Sequence, residues 1–358
     1  MKIARLMIIN TIIVLQIGCS FSEKNNTEEF THSDFAKTVE LKGTQVSFDA
    51  LVNPYEGYLV NDTLLLVSNM DPAQKEKIKI ISLNDGKLIS SFAQEGHADN
   101  ELISCNIRYF SPQSPFFYVE DIVQSKYWIC SLDSLFDHKK SIVTSFYYSR
   151  DVMSIYPLDS TYVGFNFWYL NHDKYNNDIY SPISEYKIGQ KREKTRSTAF
   201  KYFVANVTGA TMARNPHNGD IWVAYNHDNV IQIYDKNMNL KKQMNGPDQI
   251  ENKYQKKTIK KQEYVFFSKE AYVSCYYMSV STPKHVYILY ENINGGGIPL
   301  QPKPVEVFKL DWDGHLLCNY KLDRHAYTIS IDSKELCLYA TCINNTNQEV
   351  QIVKYDLK

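Results

Sequence analysis

The feature that most constrains this chain is a hairpin that recurs along it. Ile78 to Phe92 (IKIISLNDGKLISSF), Val230 to Met244 (VIQIYDKNMNLKKQM) and Val305 to Leu322 (VEVFKLDWDGHLLCNYKL) share one pattern: an alternating strand, a turn built on Asp, Asn or Gly, and a second strand. Val350 to Leu357 (VQIVKYDL) repeats the first half. Another strand precedes each copy, at Asp62–Ser68, Asp220–Tyr225, His285–Tyr290 and Glu335–Thr341, and shorter runs such as Ala210–Arg214 and Tyr327–Ile331 come one strand earlier. Four strands over roughly forty to fifty residues is the period of a propeller blade. With 27 Tyr and 13% aromatic residues, the composition favours strands that pack on pleated surfaces.

Counting units along the chain predicts an all-β, six-bladed β-propeller with four-stranded antiparallel blades. The blades span Val52–Phe92, Ile107–Phe146, Val152–Phe200, Ala210–Met244, Tyr272–Leu322 and Tyr327 to the end. The last unit lacks a fourth strand. The strand-like segment Thr38–Phe48 would supply it beside Val350–Tyr355 and close the ring, removing exposed edges. Seven blades is the alternative, because the third unit is long and irregular.

The N-terminus reads as an address. Lys2 and Arg5 precede an apolar run, Leu6 to Leu15, broken by Asn10 and Thr11. That run is short for a bilayer span and has the proportions of a signal-peptide core. It ends in Leu-Gln-Ile-Gly-Cys, where Gly18 before Cys19 has the form of a lipobox, although Gln16 occupies the usual aliphatic position. The expected organisation is a signal peptide over 1–18, a lipidated Cys19, a flexible polar tether over 19–36 and a propeller over 37–358. Cys105, Cys130, Cys275, Cys318, Cys337 and Cys342 are widely spaced and mostly lie in apolar runs, so they read as small buried hydrophobes.

With the lipobox, the six units and Phe92–Leu102 (FAQEGHADNEL) in view, the chain resembles the TolB-like six-bladed propeller lipoproteins of anaerobic gut bacteria. Gly96, Glu101 and Leu102 fit that group's Gly-x-Gly-Pro-x-Glu-Phe-like stretch, and His97 to Asn100 depart from it. The resemblance implies a fold, a cell-envelope location (outer membrane) and a lectin-like or peptide-binding role.

Loops between second and third strands, and loops between blades, should emerge on one face. Asn69–Lys77, Ala93–Asn106, Asn171–Ser181, Asn245–Gln262 and Glu291–Pro304 are the long ones, so this face is expected to bind. Within it, Trp168, Tyr169, His172 and Tyr175 form the most ligand-like cluster, suited to sugar stacking, with Trp168 and Tyr169 as blade core and the rest a solvated loop as the alternative. Lys253, Lys256, Lys257, Lys260 and Lys261 read as a solvated helix face, with an anionic glycan or headgroup as the alternative partner.

Basic and acidic side chains number 39 and 40, which argues against a nucleic-acid binder. No GxSxG or HExxH motif occurs, and Asp311-Trp312-Asp313-Gly314 reads as a hairpin turn rather than a calcium loop. No catalytic, cofactor-binding or metal-ligating residue is assigned. The leading expectation is a non-catalytic binding or scaffolding module for a glycan, peptide or partner protein, held to the membrane by lipid on Cys19. The alternative is a metal-dependent hydrolase or lyase with its site in the propeller channel.

Overall fold

The computed structural model describes residues 27–48, 54–69, 73–99, 101–134, 142–148, 152–158, 160–166, 183–187, 203–204, 209–250, 254–259, 262–267, 273–294, 303–344 and 349–357. The sheets follow the repeat. The first is built from Pro54–Val60, Leu64–Asn69, Glu76–Ser82 and Leu88–Glu95, and the second from Asn106–Arg108, Phe116–Asp121, Lys126–Ser131 and Ile142–Tyr147. The third has three described strands, Val152–Pro157, Thr161–Asn166 and Ile183–Lys187. The fourth contains Ala210–Arg214, Ile221–Tyr225, Val230–Tyr234 and Leu240–Asn245, and the fifth Val273–Ser281, His285–Asn294, Glu306–Asp311 and Leu316–Leu322. His325–Ile331, Cys337–Ile343 and Val350–Asp356 make the sixth, completed by Thr44–Gln45. Five sheets are thus four-stranded antiparallel blades of an all-β propeller. The expected fourth strand of the third unit falls outside the described residues.

The hairpins form for a local reason. Asp235 Oδ1 accepts the backbone N–H of Asn237 and of Asn239, both at 2.8 Å. Asp311 Oδ1 does the same for Asp313 at 3.0 Å and His315 at 2.9 Å. An aspartate after the third strand therefore satisfies turn donors that the ladder cannot reach.

Apolar layers fill the spaces between successive sheets. Phe117, Trp128 and Ile107 of the second sheet meet Ile78, Ile80 and Tyr58 of the first. Tyr127 and Phe146 meet Ile155 and Tyr162 of the third, with Phe146 and Tyr162 stacked at 5.4 Å. The layer joining first to last sheet contains Leu65, Val67, Ile81 and Ile352. Across that same junction, Leu59 N–H donates to Ser330 Oγ at 2.8 Å and Gly57 N–H to Thr341 Oγ1 at 2.9 Å. Side chains of one sheet thereby satisfy innermost backbone donors of the next.

The N-terminal segment differs from its expected form. Thr27–Glu29 runs parallel to Gln243–Asn245, at the outer edge of the fourth sheet. Phe30 and Phe35 are buried, and the Phe35 ring lies 4.7 Å from that of Phe308. Thr38–Leu41 then runs parallel to Asn319–Leu322, and only Thr44–Gln45 pairs with Val353 and Lys354 of the sixth sheet. From Thr27 onward the chain is a belt across three consecutive sheet edges, so the expected tether gives way to packed structure well before residue 36. Two buried Phe side chains supply the reason, since burying each contributes about 2–3 kcal/mol. Residues 1–26, including Cys19, lie outside the described residues.

A second correction concerns the basic stretch. Tyr254–Ile259 and Gln262–Phe267 form an antiparallel hairpin, so Lys256 and Lys257 lie on a strand and not on a helix. Thr258, Ile259, Val265, Phe266 and Phe267 explain this, because β-branched and aromatic residues favour strands. Lys253, Lys260 and Lys261 are not among the described residues. The described residues include one short 3-10 turn, His32–Asp34, and no helix long and apolar enough to cross a membrane.

Candidate functional site

Two families of turns sort the faces. Ser333 N–H donates to Asp62 Oδ1 at 2.7 Å, His217 Nε2 to the Pro283 carbonyl at 2.6 Å, and Trp312 Nε1 to the Thr282 carbonyl at 3.2 Å. These contacts knit together the tight-turn face. On the opposite face the crossing after the first sheet is clamped by the second. The buried Lys126 ammonium donates to the Ala98 carbonyl at 3.1 Å and also to that of Asp99. Asp121 accepts from Ile103 N at 2.7 Å and from Ser104 Oγ at 3.0 Å. Gly96, Glu101 and Leu102 have structural jobs here. Leu102 is fully buried, Glu101 Oε2 accepts the Ala98 N–H at 2.9 Å, and a Cβ on Gly96 would stand 2.0 Å from that same oxygen.

The innermost strands start at this clamped face, and their first residues build a polar and aromatic cluster around the axis. Glu56 on the first sheet and Glu120 on the second are almost fully buried, at 6% and 4% exposure. Arg108 lies between them. Its Nη1 is 3.2 Å from Glu56 Oε1, and its Nη2 is 3.3 Å from Glu120 Oε2. The remaining carboxylate oxygens are also satisfied: Ile107 N–H donates to Glu56 Oε2 at 2.6 Å and Tyr148 OH to Glu120 Oε1 at 3.1 Å. One guanidinium thus serves two carboxylates. Burial pushes the Glu56 carboxyl up to about 6, and the neighbouring Arg108 only partly pulls it back.

Tyrosines lie within electrostatic reach of this group. Tyr55 and Tyr277 are 40% and 44% exposed, unusual values for innermost strands of such a core, and Tyr327 is half-buried. The Tyr55 and Tyr327 rings are 6.3 Å apart and tilted by 43°. Loss of solvation around the part-exposed Tyr277 raises its phenol to about 12, helped by Tyr55 and Glu291, and it lies within electrostatic reach of Glu56 and Arg108 as well. Burial, then Glu56, raises the Tyr55 phenol. All these hydroxyls are neutral near pH 7, so the collar presents aromatic faces and uncharged O–H groups. Glu291, on the fifth sheet, is a further buried carboxylate within electrostatic reach of Tyr277. Ser274 Oγ donates to Glu291 Oε1 at 2.6 Å, and His325 Nε2 stands 3.8 Å from Oε2.

Trp168, Tyr169, His172 and Tyr175, the residues singled out from sequence, lie in 167–182, outside the described residues. Tyr55, Arg108, Tyr277 and Tyr327 were not singled out. A signal for them exists: each sits in the first strand of its unit, and Glu56 is a charge set inside an otherwise apolar strand, Pro54–Val60. Asp311, Asp313 and His315 are the only group among the described residues that could hold a metal ion. They occupy an exposed hairpin turn where Asp311 already accepts turn N–H groups and the His315 ring at 2.7 Å. All six cysteines of the propeller are free thiols.

No protein-family model and no curated protein matches the chain. Solved structures do. A member of the DUF4221 family from Bacteroides vulgatus is 10% identical, with a TM-score of 0.55 over 88% of this chain and 96% of that one. A Bacteroides fragilis protein described as exported is 11% identical, with a TM-score of 0.47 over 93% and 99%. The β-propeller domain of Myceliophteria thermophila Cps50 (Swd1) is 8% identical, with a TM-score of 0.44 over 88% and 100%. The first of these likenesses shows a shared propeller-like fold and, at that identity, the fold alone.

Proposed function

We propose that this chain is a non-catalytic binding module of the cell envelope, with its ligand site at the channel mouth on the clamped, long-loop face. The observation that carries the reading is the pair Tyr55 and Tyr277, two large side chains left 40% and 44% exposed on innermost strands, both within electrostatic reach of the ion pair of the part-exposed Arg108 with the buried Glu56. Aromatic faces at a concave mouth, with hydroxyls at their rims, suit a sugar, a peptide or a side chain of a partner protein. Trp168, Tyr169, His172 and Tyr175, expected on the same face from their order in the sequence, are proposed to extend the collar outward. The third sheet completes a six-bladed, TolB-like ring in this reading. The N-terminus delivers the protein as a lipoprotein, with Cys19 carrying lipid in the outer membrane.

The test uses the mature chain from Ser20 onward in thermal unfolding against host and microbial glycans and short peptides. A true ligand raises the midpoint, by about 2.7 kcal/mol of stabilisation at a hundredfold excess over Kd. That rise disappears in Tyr277→Ala. A ligand whose shift survives both Tyr277→Ala and Tyr55→Ala binds elsewhere and overturns the assignment. The anchor is tested separately in the full chain, where Cys19→Ala moves the protein from the membrane to the soluble fraction.

A further inference from the structure

We infer that the channel mouth selects a cationic group, an ammonium or guanidinium of the kind carried by a quaternary amine or a basic side chain. This rests on the binding reading above and narrows it to one charge class. The charges facing the mouth are unequal. Glu56, Glu120 and Glu291 are buried carboxylates on three different sheets, and Arg108 is the guanidinium set among them, bonded to two of the three. His325 beside Glu291 adds no compensating charge near pH 7, because burial lowers its pKa. The three acids with one base leave an excess of negative charge when ionised, within electrostatic reach of rings that are themselves electron-rich on their faces.

Both features favour the same ligand. A cation over a phenol ring is attracted by the ring quadrupole, and the attraction grows where water is excluded. An anion would meet the same negative faces and a guanidinium whose charge is already matched by two carboxylates. The Arg108 side chain is 32% exposed, so the pair lies close enough to the mouth for its field to be felt there. Tyr277 lies within electrostatic reach of both Glu56 and Glu291.

The experiment titrates the mature chain with choline, acetyl-lysine amide and acetyl-arginine amide by calorimetry and thermal unfolding. The neutral isostere 3,3-dimethyl-1-butanol and free acetate serve as controls. At least one cation binds and raises the midpoint, while the isostere and acetate do not. Tyr277→Ala and Tyr55→Ala weaken that binding at least tenfold, and Tyr277→Phe, which keeps the ring, restores most of it. Affinity falls several-fold from pH 7.5 to pH 5.5 as Glu56 gains its proton. An equal shift with the neutral isostere overturns the charge argument. A Tyr277-dependent shift with an uncharged glycan, and none with any cation, leaves the site standing and removes the cation selectivity. Cation shifts that persist in both Tyr→Ala variants remove the site itself.

Discussion

Glu56 and Arg108 sit on the innermost strands of consecutive sheets and meet with Nη1 3.2 Å from Oε1. The contact joins two units through residues 52 apart in sequence, and the same guanidinium reaches Glu120. Removing the base leaves two nearly buried carboxylates with no counter-charge. Arg108→Met should therefore lower stability by roughly 3 kcal/mol, measured as a fall in the urea midpoint without a change of slope. Adding Glu56→Gln to that variant should recover part of the loss, because one of the stranded charges is gone.

The same carboxyl sets a pH dependence. The Glu56 pKa is raised from 4.5 to about 6 in the folded chain, so the folded state holds this proton more tightly than the unfolded state does. Stability contributed by the protonated form is full below about 4.5 and is lost as pH rises through about 6. The difference is about 2 kcal/mol. Stability curves of the native chain and of Glu56→Gln, measured between pH 4 and pH 8, should diverge over this window. Parallel curves would show that Glu56 titrates normally.

The belt is an integral part of the propeller, and this can be separated from a tether by truncation. Removing residues through Ala36 strips Phe30 and Phe35 from the layer they share with Phe308 and Met244, and uncovers the Gln243–Asn245 edge. A tether would be lost at no cost. Phe30→Ala alone should cost about 3 kcal/mol. Hydrogen exchange at Phe30, whose N–H donates to the Asn245 carbonyl at 2.9 Å, should accelerate in that variant.

Gly96 carries another prediction. Its Cβ, if present, would lie 2.0 Å from Glu101 Oε2, inside the crossing that Lys126 and Asp121 clamp. Gly96→Ala should lower the thermal midpoint by several degrees, and Glu101→Ala on top of it should be less harmful than the two changes summed, because the second removes the clashing atom.

The thiols should fall into two groups by accessibility to a reagent. Cys130, Cys275, Cys318 and Cys342 are buried, and burial pushes the Cys342 thiol up to about 12. A thiol reagent at pH 8 should leave these four unmodified in the native chain and label all six of the propeller's cysteines in guanidinium chloride. Fewer than six in the denatured, unreduced chain would reveal a disulfide.

What could be read in the chain itself was everything with a local cause. Alternation with period two marks strands such as Val230–Tyr234, and an aspartate at 235 or 311 marks the turn that follows, because each effect acts within a few residues. Unit boundaries then follow from counting. The belt was half legible: a strand beside Val353 was expected, but its parallel partners Asn319–Leu322 and Gln243–Asn245 were not. Parallel pairing at an outer edge leaves no pattern in either strand, since any extended segment satisfies the same donors and acceptors. The channel cluster depended on tertiary structure altogether. Tyr55, Arg108, Tyr277 and Tyr327 come from four first strands spread over more than two hundred and seventy residues, and no spacing relates them. Only the closing of the ring brings the starts of those strands to one axis, where burial raises Glu56 and Arg108 joins the acids of two sheets.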